Sequence, residues 1–245
     1  MTWAGARRGS RSVAVCTCRA RTGPPARASP PPTADPLPEQ EHQPQQCGGT
    51  EHGEPGTGRV TRFTYDNSYL VADADGAFVL ETAGRRWAGE EVRGRARSIS
   101  NGLTIPSFAR AHADPVRGRV ARCALRRSRT QAAGERATGP ADLMAALRDH
   151  GQTGSPRWSP VNGALGAPCA HAGGRVTSTQ STASWVADLA NGTHWTTATS
   201  APCTSLFKAV RVGEPADVDP SPTPENRFDP AYLWWRHERL HRLAL

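Results

Sequence analysis

Apolar and polar positions alternate most clearly in the stretch from Phe63 to Ile105. Two short apolar runs, Tyr69 to Ala72 and Ala77 to Leu80, flank Asp75-Gly76. That dipeptide readily takes the positive φ angles of a tight turn, so the pattern predicts a β-hairpin. A third short run, Ser98 to Ile105, contains Asn101-Gly102, which places a polar side chain at a strand end or bulge beside the sheet. After Pro106 the period lengthens. Val116, Val120, Ala124 and Leu125 roughly follow helical spacing, and Arg117, Arg119, Arg122, Arg126 and Arg129 cover the other faces, as expected of an exposed helix with an Arg-rich solvated side. Thr138-Gly139-Pro140 opens a further helix, PADLMAALRDH, with Leu143, Met144 and Leu147 on one face and Gly151 beyond its end. Strand pattern returns in Thr182 to Leu189 and Thr193 to Ser200, which flank Asn191-Gly192 as a second hairpin signal.

The first 58 residues read differently. Prolines recur from Pro24 to Pro55, and large apolar residues almost vanish after Val15. Such a segment buries too little surface to offset its ordering entropy, and disorder is the default expectation. The division expected from sequence is therefore a disordered Pro/Arg-rich leader over 1–58 and one α+β domain over 59–245. Length alone, 245 residues, allows one substantial domain or two small ones.

A net charge of +8 raises the question of an anionic partner. Its location argues against nucleic acid: 13 Arg face four acidic residues between Arg85 and Arg136, while the remainder is close to balanced. With Lys208 the only lysine, this is an Arg-rich coding bias, and no aromatic-interleaved basic strand accompanies it. The apolar runs are far shorter than a membrane span. Six irregularly spaced cysteines, at positions 16, 18, 47, 123, 169 and 203, without a convincing secretory signal, fit a reduced cytoplasmic setting. The expectation is a cytoplasmic chain with no nucleic-acid partner and no membrane partner.

Several strings carry a family resemblance. YLVADADGAFVLETAGRRWAGEEVRG followed by RSISNGLTI, then SPRWSPVNGALGAPCAHAGGRVTSTQSTASWVADL, HWTTATSAPCTSLFKAVRVGEP and FDPAYLWWRHERLHR, resemble successive segments of the secernin-type dipeptidases, in order, from Arg62 to the C-terminus. Those are cysteine hydrolases of the N-terminal-nucleophile class. The resemblance implies part of a four-layer αββα fold and hydrolysis of a C–N bond in a dipeptide or small amide. The mechanism would be thiolate attack, an oxyanion-stabilised tetrahedral intermediate, and water attack on the acyl-enzyme. It also implies a catalytic Cys at the processed N-terminus and the strands that follow it, which this chain lacks in recognisable form. A truncated, inactive fragment is therefore expected, with exposed sheet edges that leave room for a homo-oligomer or a partner chain. The alternative is a noncatalytic interaction module that binds through such an edge.

Few residues remain as candidates for chemistry. Cys16 and Cys18 would need cleavage before Cys16 to serve as an N-terminal nucleophile, and Thr17 stands where the family has Asp, so two incidental thiols are the simpler reading. The resemblance places Asn101 where an amide donates to the oxyanion; the other reading is a turn residue before Gly102. Cys169 and His171 would share a face if their segment were a strand, but Ala172-Gly173-Gly174 argues for a loop and ordinary packing. Cys203 reads as a buried thiol. His237-Glu238-Arg239-Leu240-His241 matches H-E-x-x-H, a zinc metallopeptidase pattern, yet only four residues follow to supply a third ligand. Trp234, Trp235 and Leu240 are expected to pack there, leaving the His pair partly exposed. No metal site and no cofactor is expected.

Overall fold

The computed structural model describes residues 3–6, 13–21, 66–171, 174–176, 179–197, 199–214 and 227–243. Two strands lie within the first 21 residues, β1 (Trp3–Ala6) and β2 (Val13–Arg21), and pair antiparallel with Trp3 opposite Cys16. The expectation of disorder over 1–58 gives way in these two segments. Valine and threonine recur at positions 13, 15 and 17, and the prolines that would interrupt a ladder begin only at Pro24. The rest of that leader lies outside the described residues.

The hairpin expected around Asp75-Gly76 forms as β3 (Asp66–Ala72) and β4 (Ala77–Ala83), with Ala72 opposite Ala77. Its turn is not the positive-φ type expected, because neither Asp75 nor Gly76 has positive φ. Instead the Asp73 carboxylate accepts from the backbone N–H groups of Asp75 and Gly76, both at 2.8 Å, closing a longer loop. A third strand, β5 (Arg86–Glu91), joins β4 after a turn in which Gly84 takes φ 58°. Next comes β6 (Ala96–Ile99), followed by the bridge Ser100 to Gly102 that holds Asn101 at its tip.

The run after Pro106 divides into α1 (Pro106–His112), α2 (Pro115–Ala121) and α3 (Cys123–Arg136). The break between α2 and α3 falls at Arg122, whose φ of 51° is left-handed. Asp114 caps α2 by accepting from the N–H groups of Val116 and Arg117. The further helix expected from Pro140 is α4 (Pro140–Leu147), shorter than the PADLMAALRDH string, with Leu143 and Leu147 buried as its periodicity requires. The second hairpin is β7 (Thr179–Asp188) and β8 (Thr193–Thr196), with Gly192 at φ 63° and the Asp188 carboxylate accepting from Asn191. β9 (Lys208–Arg211) and α5 (Leu233–Leu243) complete the described elements.

Strand order is β6-β1-β2-β7-β8-β9 in one antiparallel sheet and β3-β4-β5 in the other, so the fold is α+β. β6 joins the layers by the alternation of its side chains. Ser98 faces α3, bonding Thr130 through the hydroxyls and donating its backbone N–H to Gln131 Oε1 at 2.8 Å. Ile99, fully buried, faces the smaller sheet with Leu70, Val79, Val92, Ile105 and Phe108. On the opposite side α4 packs Leu143 and Leu147 against Val186 of β7.

Glu81 of β4 is buried completely and fixes the start of α1. Its carboxylate accepts from Thr104 N at 2.6 and 2.8 Å, from Ile105 N at 2.9 Å and from Thr104 Oγ1 at 2.6 Å. Those amides stand at the positive end of the helix, where a carboxylate is favoured. The Arg-rich face expected to be solvated contains an exception: Arg126 is only 1% exposed. Its guanidinium donates to the carbonyls of Ala121 and Leu165 (2.8 Å to the latter), to Ser100 Oγ at 3.0 Å and to Asn101 Oδ1 at 2.8 Å. Neutral acceptors solvate this cation, and burial lowers its pKa to about 10 against a smaller opposing effect of Cys123.

Candidate metal centre

Four side chains from three separate segments converge behind the end of α4. His150 follows that helix directly. Its loop is held by Asp149, whose carboxylate accepts from Gly151 N at 2.8 Å and pairs with Arg129 Nε at 2.5 Å and Nη2 at 2.7 Å. Burial raises the Asp149 pKa, but the hydrogen bonds from Arg129 and Gly151 outweigh it, and the net shift is downward. The Asp149 carbonyl also accepts from Cys169 N at 3.1 Å, tying the His150 loop to the segment that carries Cys169 and His171.

That segment runs beside the start of β7. Ser181 N donates to the Ala170 carbonyl at 2.8 Å, and Ala170 N donates to Ser181 Oγ at 3.2 Å. Cys203 lies on the turn after β8, which Arg148 anchors by donating from Nε to the Pro202 carbonyl at 2.9 Å and from Nη2 to the Ser205 carbonyl at 3.1 Å. Arg148 also covers the Phe207 ring at 4.8 Å. One residue at the end of α4 thus positions the turn bearing Cys203.

Around the meeting point, His171 Nε2 lies 3.0 Å from His150 Nε2 and 3.4 Å from each of Cys169 Sγ and Cys203 Sγ. All four donor atoms lie within 4.8 Å of one another. Cys169 and His171 are buried, whereas His150 and Cys203 are partly exposed. The ring protons are committed elsewhere. His150 Nδ1 is 3.0 Å from the Gly154 carbonyl, which can only accept, so its proton sits at Nδ1 and Nε2 carries a lone pair. His171 Nδ1 is 2.9 Å from His241 Nε2. A proton there leaves His171 Nε2 as a second lone pair aimed at the same point. Continuing outward, His241 Nδ1 faces Glu238 Oε2 at 3.4 Å, near enough for charge attraction though poorly aligned for a hydrogen bond.

Glu238 is itself buried, and burial alone would raise its pKa; His241, Gln180 and Arg242 outweigh that and hold it at about 2. Arg242 Nε donates to Glu238 Oε1 at 2.7 Å, and Gln180 Nε2 donates to the same oxygen at 3.1 Å. The Cys203 thiol is held well below the usual thiol range, first by hydrogen bonding with Cys169 and then by His171 and His150, against the opposing effect of burial. Two sulfurs and two imidazole nitrogens form a donor set suited to a soft or borderline divalent cation.

The structure redistributes the residues singled out from sequence. Cys169 and His171 do lie on a loop, and the structure brings them together with His150 and Cys203 into a group that could hold a metal ion, although no metal site is expected from sequence. Cys203 is half-buried and belongs to the same cluster. The two histidines of H-E-x-x-H do not converge: His241 backs onto His171, whereas His237 Nε2 faces Ser205 Oγ at 3.1 Å and Thr204 Oγ1 at 3.3 Å. Burial, followed by the neighbouring His241, lowers the His237 pKa. The expected exposure holds for His237, partly exposed, and for the half-buried Trp234 and Trp235, but fails for His241, which is buried, and Leu240, which is exposed. Asn101 lies apart from this network, exposed, with its carbonyl held by Arg126. The side chains of Cys16, Cys18 and Cys47 lie outside the described residues.

Among the described residues no helix is long and apolar enough to cross a membrane. No protein-family model matches the chain, and no solved structure matches it.

Proposed function

We propose that this chain is a zinc-binding protein, with His150, Cys169, His171 and Cys203 forming a closed Cys2His2 centre in a structural, noncatalytic role. The observation that carries this is the convergence of two imidazole nitrogens, whose opposite ring nitrogens face the Gly154 carbonyl and His241, with the sulfurs of Cys169 and Cys203. One nitrogen, His171 Nε2, has three close neighbours, and a single proton can satisfy only one of them. A cation at the centre satisfies all four donors.

The spacing fits. Zinc binds thiolate at about 2.3 Å and imidazole at about 2.0–2.1 Å, so a tetrahedron separates an S and an N ligand by about 3.6 Å and two N ligands by about 3.3 Å. The corresponding separations are 3.4 Å for both sulfurs and 3.0 Å for the nitrogens, a few tenths of an ångström from those edges. The His171–His241–Glu238 chain supplies the outer support common at zinc histidines, fixing ring orientation and tautomer. Four protein ligands leave no open position for a reacting water, which favours stapling over catalysis. The staple joins the His150 loop, the Cys169 segment and the Cys203 turn. Metal analysis of purified full-length protein tests this. One zinc per chain is expected, with a large fall in Tm on chelation and loss of the metal in Cys169→Ser; a metal-free protein that neither gains zinc nor changes stability on its addition would overturn the reading.

A second reading keeps the family resemblance, namely a thiol hydrolase of dipeptides or small amides on a four-layer αββα fold. It is favoured by one arrangement, the partly exposed Cys203 sulfur beside His171, whose far nitrogen meets His241 and then Glu238. This is a nucleophile, base and orienting-group series. Asn101, the amide donor that the resemblance implies, lies apart from this arrangement and is held by Arg126, so it plays no part in this reading. Turnover of a dipeptide panel by metal-free protein, abolished in Cys203→Ala, would establish it; no turnover with or without metal would remove it.

A further inference from the structure

A cleft of about 350 Å³ is lined in part by His150 and extends to the chain around Trp158. Its volume is at the small end of ligand sites, enough for one ring or branched aliphatic body and too small for a nucleotide. The lining is asymmetric in charge. Arg122, Arg129 and Arg157 contribute to it, and no acidic side chain does. Arg129 is neutralised by Asp149, whereas Arg122 and Arg157 have no carboxylate partner among the described residues. The rest of the wall includes Leu125 and Trp158, both substantially exposed at 42% and 56%. Arg122 stands on the left-handed turn between α2 and α3, and Arg157 on the loop that follows His150, both exposed.

We propose that this cleft binds a small organic carboxylate with an apolar body. The carboxylate would lie between the unpaired guanidinium groups, whose planar forks match its geometry, and the body would rest against Leu125 and Trp158. An exposed Trp beside two uncompensated arginines favours that occupant over an inorganic anion, which would leave the apolar wall in water. The proposal does not depend on which ion, if any, the neighbouring donors hold.

Benzoate is a suitable probe, with benzamidinium as its cation of like shape and inorganic phosphate as an anion without a body. Titrations of full-length protein, loaded with one equivalent of zinc and followed by the indole N–H resonance of Trp158 (assigned with Trp158→Phe), read out the site. Saturable binding of benzoate in the millimolar range is expected, with at least tenfold weaker binding of benzamidinium and of phosphate. Arg122→Ala and Arg157→Ala should each weaken benzoate binding severalfold, while circular dichroism confirms that both variants remain folded. Equal response to benzoate and benzamidinium, phosphate binding as tight as benzoate, absence of saturation, or unchanged affinity in both folded arginine variants would each overturn the proposal.

Discussion

Replacing Glu81 by Gln tests how the smaller sheet fixes the segment that follows β6. The Glu81 carboxylate is fully buried, and among the described residues it makes no ion pair. Its oxygens instead accept from Thr104 N, Ile105 N, Thr104 Oγ1 and, at 3.4 Å, Ser68 Oγ. Every one of these partners is a donor. Glutamine keeps the shape but retains one acceptor oxygen, and whichever way its amide turns, an NH2 group faces a backbone N–H. The cost has two parts. Loss of charge-assisted hydrogen bonding removes about 1 kcal/mol, and a buried N–H left without an acceptor adds about 1–3 kcal/mol, for a total of about 2–4 kcal/mol. Urea unfolding of wild-type and Glu81→Gln protein, followed by far-UV circular dichroism with metal retained, measures the difference. Hydrogen exchange should accelerate at the Thr104 and Ile105 amides in the same variant. A loss below about 0.5 kcal/mol, with unchanged protection of both amides, would refute the reasoning that this carboxylate holds the start of α1.

The outer support of the metal centre separates the two histidines of the H-E-x-x-H string. His241→Ala should weaken zinc binding about 10–100-fold, as expected for loss of a group that orients a ligand, while His237→Ala should leave it nearly unchanged, both measured by competition with a chromophoric chelator. Acid should expose the contribution of Glu238. A carboxyl held at about 2 rather than the ordinary 4.5 stabilises the fold fully above about pH 4.5, and that contribution declines as pH falls towards 2. The shift corresponds to about 3 kcal/mol, so the stability gap between wild-type and Glu238→Gln protein should shrink across that window; a gap independent of pH would count against it. At Gly174, an added Cβ would lie 2.5 Å from Gly163 N and 2.6 Å from Asn162 N, both backbone atoms. Gly174→Ala should cost about 1–3 kcal/mol by urea unfolding, through displacement of the loop that precedes Cys169.

Much of the fold follows from local pattern. The runs around Asp75-Gly76 and Asn191-Gly192 form the two expected hairpins, and Leu143 and Leu147 bury the face of α4 that their spacing marks. At Asp75-Gly76 the local rule misses the turn itself, because an upstream Asp73 side chain supplies hydrogen bonds that make positive φ unnecessary. β5 is not announced by its sequence: Arg86, Gly89, Glu90 and Glu91 lack an apolar face, and pairing with β4 makes the strand. Arg126 sits where helical periodicity suggests solvent, but carbonyls and side-chain oxygens from three other segments surround it.

The candidate site was less legible for a physical reason. Its donors stand at 150, 169, 171 and 203, and nothing in their spacing follows a compact zinc motif. Only Cys169 and His171 are close in sequence. The turn that brings Cys203 to them depends on Arg148, and the loop that brings His150 depends on the Arg129–Asp149 pair, contacts that no single segment encodes. H-E-x-x-H drew attention to the right helix for the wrong reason, since Glu238 and His241 support a ligand and His237 faces elsewhere.

Cobalt(II) substitution tests the central claim most directly, because the spectrum reports geometry and ligand type together. The account predicts one cobalt per chain, intense visible ligand-field bands of a tetrahedral ion and near-ultraviolet thiolate charge transfer. Cys169→Ser or Cys203→Ser should diminish the charge-transfer band, and one equivalent of zinc should displace the colour. A weak octahedral spectrum without charge transfer, or identical spectra in both cysteine variants, would contradict a Cys2His2 centre at these residues.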